Sequence, residues 1–302
     1  MKILIAEDDL TSRKVLAGVL RKIGHEVVET VDGAEAWSEL RKENSPKLAI
    51  LDWMMPKMDG LEVVRSVRSL DLKKPPYIIM LTTRGEKSDI IVGLDAGAND
   101  YLSKPFDTGE LQARVEVGRR MVEMQDALIE SREALVYEAS HDPLTRLFNR
   151  RAVLGHLESE LAHAHEREEV LTAGMCDIDH FKRVNDTYGH QTGDDVLCEL
   201  AHILRDSAER CEIPGCAGRM GGEEFLVVLR MKAGTGFMEF YDALCRRIAG
   251  TSLITRSGTI PVTVSIGVSC AAAVSSVDDM LGSADAALYR AKAQGRNRAV
   301  YA

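Results

Sequence analysis

Gly221-Gly222-Glu223-Glu224-Phe225, followed by the apolar run Leu226-Val227-Val228-Leu229, decides how the second half of this chain folds. A glycine pair ahead of an apolar run reads as the tip of a β-hairpin, where backbone approaches backbone, or a phosphate, without a Cβ in the way. Side chains alternate across a strand, so Glu223 and Glu224 cannot serve one face. One of them can reach a divalent cation while the other braces the loop, and the expectation is a polyphosphate site.

Upstream, Val170-Leu171-Thr172-Ala173-Gly174-Met175-Cys176 reads as a core strand running into Asp177-Ile178-Asp179-His180-Phe181-Lys182. A carboxylate at the end of that strand, paired in space with the Glu223 hairpin, gives the two anchors that a metal-assisted nucleotidyl transfer needs. Asn185 and Asp194 bracket Thr187-Tyr188-Gly189-His190-Gln191-Thr192-Gly193. An amide and a carboxylate together can read a guanine edge, because the carboxylate accepts from two adjacent donors that adenine lacks. Leu197, Leu200, Ile203 and Leu204 recur at the spacing of a helix core face. His156, His163 and His165 are expected in solvent.

With Asp142-Pro143-Leu144-Thr145, Val264-Ser265-Ile266-Gly267-Val268, Ala284-Asp285-Ala286-Ala287-Leu288-Tyr289-Arg290-Ala291-Lys292 and Gly295-Arg296-Asn297-Arg298, this region resembles the GGDEF family of diguanylate cyclases, in the variant with glutamate at the third position. The likeness covers about 139–302. It implies an antiparallel-centred sheet flanked by helices, similar to nucleotidyl cyclase and polymerase palm domains; the strand pattern alone supports α+β. It implies Mg2+ on Asp177, the Ile178 carbonyl and Glu223, with Glu223 also the proton acceptor. GTP would be contacted by Asn185, His190, Asp194 and the Gly221-Gly222 turn. Lys292 and Arg296, four apart and so on one face of a helix end, would clamp its phosphates. The implied reaction condenses two GTP into cyclic di-GMP and two pyrophosphates, with two such domains face to face in a homodimer.

The family's product-inhibition motif, an arginine and an aspartate, would fall on Glu212 and Gly215, so feedback through that site is expected to be weak or absent. Asp194 retains the carboxylate that ATP-accepting members replace with serine, and strict GTP use is expected. The alternative is a catalytically inactive GGDEF scaffold that binds nucleotide or protein.

Between Thr108 and Glu138 there is no proline, and Val117, Met121, Met124, Leu128, Ser131 and Leu135 recur at steps of four and three. That spacing is the seam of a two-stranded coiled coil, assigned to a linker at 121–138.

In the first 120 residues, apolar runs at Lys2-Ile3-Leu4-Ile5-Ala6, Val27-Val28, Leu48-Ala49-Ile50-Leu51 and Ile78-Ile79-Met80-Leu81 alternate with helix-period segments. Strands alternating with helices mean a doubly wound parallel sheet, an α/β domain whose ligands sit outside the carboxyl ends of the strands. Those ends carry Glu7, Asp8, Asp52, Thr82 and Lys104. Converging carboxylates repel unless a hard cation lies between them, and a lysine and a hydroxyl beside them suit a phosphoryl group formed on one of them. The stretch from about Met1 to Phe106, with Asp52-Trp53-Met54-Met55-Pro56-Lys57-Met58-Asp59-Gly60 its most specific part, resembles a response-regulator receiver domain. The resemblance implies Asp52 as phosphoacceptor from a sensor histidine kinase. It implies Mg2+ on Glu7, Asp8, Asp52 and the Met54 carbonyl, and a switch formed by Thr82, Tyr101 and Lys104.

The 302 residues carry a formal net charge of −9, which argues against a nucleic-acid partner, since such partners are met by a basic face. Six cysteines without a CxxC pair, and the lack of a signal peptide or long apolar span, lead to the expectation of a cytoplasmic protein with free thiols and no membrane partner.

Overall fold

Alternating side-chain direction in the first five strands sorts their residues onto two faces, both buried in the central strands, and each face finds its own helices. The computed structural model describes residues 1–70, 72–83, 95–164, 169–213, 215–232, 236–271 and 276–302. It divides into two compact units, Met1–Glu133 and Ala134–Ala302. In the first, β1 (Lys2–Ala6), β2 (Glu26–Thr30), β3 (Leu48–Asp52), β4 (Tyr77–Thr83) and β5 (Asp100–Lys104) form one sheet in the order β2-β1-β3-β4-β5. Every pairing is parallel. Leu4, Ala6, Ala49, Leu51, Ile78 and Met80 share a core with α2 (Gly33–Leu40) and α3 (Gly60–Arg68). Their neighbours Ile3, Ile5, Leu48, Ile50, Ile79 and Leu81 share the other with α1 (Leu10–Lys22) and the start of α4 (Thr108–Ser140). A period of two feeding two apolar layers is the doubly wound arrangement expected from sequence.

Helix α3 is set by Asp59, whose side chain accepts from the Glu62 N–H while the Glu62 carboxylate accepts from the Asp59 N–H. Such a capping box fixes where the loop after Asp52 turns back onto the sheet. Helix α4 is continuous through the expected linker and crosses the boundary between the units. Leu111, Val115, Gly118 and Val122 are buried on the first unit, whereas Val117, Met121, Met124, Leu128 and Leu135 are exposed.

In the second unit the chain gives α5 (Arg150–Ala164), β6 (Glu169–Ile178), α6 (Phe181–Tyr188), α7 (His190–Glu209), β7 (Cys216–Gly221), β8 (Glu224–Lys232) and α8 (Phe237–Gly250). It ends with the hairpin β9 (Ser252–Thr255) and β10 (Gly258–Pro261), then β11 (Val264–Cys270), α9 (Val277–Ala293) and β12 (Arg298–Tyr301). The main sheet runs β12-β11-β6-β8-β7, antiparallel except for β12 beside β11. Cys176, Ile178, Phe225, Val227 and Leu229 face α7 and α8. Met175, Leu226 and Val228 face α5 and α9. His156 is half-buried, its ring stacked on Phe148 at 6.4 Å, and so is not the solvated side chain expected; His163 is exposed, and His165 lies outside the described residues.

Candidate functional site

Parallel pairing puts the carboxyl ends of β1, β3, β4 and β5 along one edge, so Glu7, Asp8, Asp52, Thr82 and Lys104 meet there from distant parts of the sequence. Glu7, Asp52 and Thr82 are buried and Asp8 is exposed. One carboxylate oxygen from each of Glu7, Asp8 and Asp52 lies within 4.8 Å of the others. Lys104 Nζ stands 2.6 Å from Glu7 Oε2 and 2.9 Å from Asp52 Oδ2. Burial pushes the Glu7 carboxyl above its ordinary range against the pull of Lys104, and the Asp52 charge adds to the push. Burial opposes the Lys104 charge, but the Asp52 and Glu7 carboxylates beside it win and raise it. Glu7 Oε2 is buried and, although Lys104 is close, accepts no hydrogen bond of good geometry. Hard oxygen donors around an under-satisfied atom fit a Mg2+-type cation. Met54 follows β3 with its side chain 69% exposed, and Tyr101 is half-buried under Arg114, whose Cζ is 5.3 Å from the ring centroid.

In the second unit the hairpin is as tight as the sequence suggested. Gly221 pairs with Glu224, leaving Gly222 and Glu223 as a two-residue turn. Gly222 has φ of 52° and Glu223 is not among the positive-φ residues, the requirement of a type II′ turn. The register then separates the two carboxylates. Glu224 lies directly opposite Asp177 on β6, and directly opposed residues share a face, whereas Glu223 sits at the tip. Asp177 is buried and its Oδ2 accepts an ion pair from Lys292 at 2.8 Å. Burial, then the charges of Asp177 and Asp285, push the Glu224 carboxyl upward, with Lys292 opposing. Among the described residues only the Glu7, Asp8 and Asp52 trio draws three such groups within 4.8 Å; Asp177, Glu223 and Glu224 do not. The paired carboxylates Asp177 and Glu224 with Glu223 adjacent are nonetheless an all-oxygen set, and the raised Glu224 carboxyl is what a cation between them would relieve.

Asn185 projects from α6 toward the start of α7. A Cβ on Gly193 would meet Asn185 Oδ1 at 1.9 Å, so the glycine makes room for that amide. Asp194, the next residue, is exposed, as is His190. Ile178 ends β6 with its side chain buried. Lys292 lies in the last turn of α9, but the helix ends at Ala293 and Arg296 is outside it, so the spacing of four is not a helical one. Arg296 N–H donates to Ala291 O and Gly295 N–H to Lys292 O, a Schellman end that turns the chain sharply after the lysine. Glu212 pairs with Lys232, and Gly215 carries no side chain.

The resemblance gives the metal to Glu223; strand register, which depends on chain far away, sets Glu224 opposite Asp177 and leaves Glu223 at the tip of the turn beside them. Sequence reasoning passed over Arg219, whose guanidinium donates to the Gly222 carbonyl at 3.0 and 2.8 Å and to Asp142 at 3.2 Å. Asp179 was missed as well. The available signal was polar spacing: Thr263 and Ser265, two apart in an otherwise apolar run, both donate to it at 2.7 Å.

Residues 139–298 match the family of the diguanylate cyclase GGDEF domain, and residues 3–116 match the response regulator receiver domain. Response regulator PleD of Caulobacter vibrioides is 30% identical over 302 residues, 99% of this chain, which spans 65% of that protein's length. The chemotaxis protein CheY homolog of Campylobacter jejuni is 41% identical over 117 residues, 38% of this chain and 90% of that protein. The coiled coil and GGDEF domain of DgcB from Caulobacter crescentus, solved in complex with c-di-GMP, is similar at 33% identity with a TM-score of 0.55, over 64% of this chain and 99% of that one.

Proposed function

The chain belongs to the GGDEF family of diguanylate cyclases, with a response-regulator receiver domain ahead of that domain, and on this premise we propose that it condenses two GTP into cyclic di-GMP under control of phosphorylation at Asp52. The observation that carries the reading is the pairing of Asp177 with Glu224 across β6 and β8, with Glu223 on the adjoining glycine turn and Lys292 at 2.8 Å from Asp177. The likeness to PleD and to DgcB in complex with c-di-GMP supports it.

Mg2+ held by Asp177, the Ile178 carbonyl and Glu223, with Glu224 beside them, would offset phosphate charge and make the 3′-hydroxyl more acidic. Asn185 and Asp194 orient guanine through its donor edge, with His190 beside them. The Gly221-Gly222 turn gives the nucleotide access, and Lys292 and Arg296 hold its phosphates. Each 3′-hydroxyl attacks the α-phosphorus of the GTP on the facing domain. A P–O bond forms, the α–β anhydride bond breaks, pyrophosphate leaves, and the hydroxyl proton passes to Glu223. One domain holds one GTP, so two copies must face each other.

On the receiver side, Glu7, Asp8, Asp52 and the Met54 carbonyl would hold Mg2+ while a sensor histidine kinase donates the phosphoryl group. Lys104 then offsets the new charge, and Thr82 and Tyr101 respond to it. The exposed seam of α4 pairs with that of a second copy and sets whether the two catalytic faces meet. No helix among the described residues is long and apolar enough to cross a membrane, and the cytoplasm, which supplies GTP and the kinase, is the proposed compartment.

The test is chromatography of the nucleotides formed from GTP and Mg2+, with and without beryllofluoride, for the wild type and Glu223→Gln. The expected result is cyclic di-GMP from the wild type, more with beryllofluoride, and none from the variant. A wild type that makes no product in either condition would leave the inactive scaffold in its place.

A further inference from the structure

The end of β6 and the turn before β12 are joined by one buried carboxylate to which the reaction described above gives no role. Asp179 is 6% exposed, and it accepts hydrogen bonds from two distant stretches of chain. Oδ1 accepts from the Ser265 hydroxyl at 2.7 Å. Oδ2 accepts from the Thr263 hydroxyl at 2.7 Å and from the Asn297 backbone N–H at 3.0 Å. Its own N–H donates to Thr263 O at 2.9 Å.

The turn it grips is strained. Gly295, Arg296 and Asn297 follow one another with φ of 108°, 63° and 47°, and two consecutive non-glycine residues in the left-handed region persist only where surroundings over-determine them. Asp179 is two residues from Asp177, and Arg296 is the middle residue of the turn. The carboxylate therefore ties the strand end that carries the metal anchor to the backbone that aims the phosphate clamp.

We propose that Asp179 is a positioning residue for GTP: by accepting the Asn297 N–H it holds the left-handed turn that points Arg296 at the phosphates. The proposal rests on the cyclase reading above and names the device that sets phosphate affinity. Thr263 and Ser265 orient the carboxylate; they need not touch the nucleotide.

The experiment measures calorimetric affinity of the full chain for 3′-deoxy-GTP, which lacks the nucleophile and cannot turn over, alongside hydrogen exchange of the Asn297 amide. In Asp179→Asn, exchange at Asn297 should accelerate and Kd should rise about tenfold, roughly what losing one charge-assisted contact to the phosphates does. Arg296→Ala should lose a similar factor, and the double variant no more than either, because both remove the same placement. Asn297→Gly, which adopts the left-handed turn freely, should recover affinity in the Asp179→Asn background. A purely structural role would lower the binding-competent fraction and leave Kd unchanged. If Asp179→Asn fails to fold, Thr263→Val, which removes one orienting hydroxyl, is measured in its place and should raise Kd by a smaller factor. Wild-type binding with an unaltered Kd in the variant, additive losses in the double variant, or no recovery with Asn297→Gly would each overturn the proposal and leave the cyclase reading standing. A wild type that binds no guanine nucleotide would overturn both.

Discussion

Arg219 grips the carbonyl of Gly222 with two N–H groups, at 3.0 and 2.8 Å, from three residues back along the same hairpin. Its remaining terminal nitrogen reaches Asp142, whose Oδ1 also accepts from the Thr145 N–H and hydroxyl at 2.8 Å each. Phe148 O accepts from Arg219 N at 2.8 Å, so the turn that follows α4 is fastened to the glycine hairpin through both side chain and backbone. Arg219→Met should place Glu223 less well and cut turnover about 10–100-fold, the effect of losing one or two charge-assisted bonds. Acid titration gives a second readout. Burial opposes the Asp142 charge, but Thr145 and Arg219 outweigh it and hold the carboxyl below its ordinary 3.8. Stability from that group is complete above pH 3.8 and is lost as pH falls through the lower folded value. The variant removes part of the depression, so the group's contribution should be smaller and its loss should finish at a higher pH, with acid unfolding earlier. A wild-type rate and an unmoved acid midpoint in circular dichroism would count against the role.

Gly193→Ala tests the proposed guanine-reading role of Asn185 without substituting that residue. The new methyl would stand 1.9 Å from Asn185 Oδ1, the far end of a side chain that can swing away, so the fold should survive with a melting temperature within a few degrees of wild type. The displaced amide should raise KM for GTP about tenfold, the worth of one lost base contact. An unchanged KM in initial-rate assays would remove Asn185 from the nucleotide site.

Much of this is legible in the sequence because apolar periodicity is local. Lys2–Ala6, Leu48–Leu51 and Ile78–Leu81 each announced a buried strand, and polar residues at their ends announced the edge where Glu7, Asp52 and Lys104 meet. What stayed hidden depends on pairing between distant segments. Nothing near Glu223 says that Asp177 will sit opposite Glu224, because the register is set along the whole of β6 and β8. The β9–β10 hairpin, only four residues a strand, was too short to stand out, and Arg296 was placed on a helix because a Schellman end leaves no mark beyond Gly295.

Glu7→Gln separates folding from metal binding in the receiver. The Glu7 carboxyl is pushed upward, first by burial and then by the Asp52 charge, so in its charged form it opposes folding at pH above its folded value, and the opposition fades as pH falls through that value. A neutral glutamine removes the penalty at pH 7 and leaves Lys104 paired with Asp52 at 2.9 Å. The variant should melt higher than wild type in chelator and gain little or nothing from added Mg2+, whereas wild type should gain. For wild type, the gain should shrink on acidification from above pH 4.5, the group's ordinary value. A variant that melts lower in chelator, or that Mg2+ stabilises as well as it does wild type, would contradict the assignment of Glu7.

The α4 seam offers the cleanest test of the proposed pairing of two copies. Leu128 is 69% exposed and Met124 67%, on a helix whose inward residues Leu111, Val115 and Val122 are already buried in the first unit. A long amphipathic helix leaving that stripe in water is stabilised by a partner, at about 2 kcal/mol for each leucine-sized side chain covered. Leu128→Glu keeps helix propensity at an exposed position, so the chain's melting should change little at low concentration. In the pair, each glutamate would meet its counterpart across the seam, and like charges brought together in an apolar setting are strongly disfavoured. Sedimentation equilibrium should show at least a hundredfold weaker self-association than wild type, and cyclic di-GMP formation with beryllofluoride should fall in proportion to the dimer lost. Full activity in a variant that sediments as a monomer would mean that the two GTP-bearing faces come together without this helix.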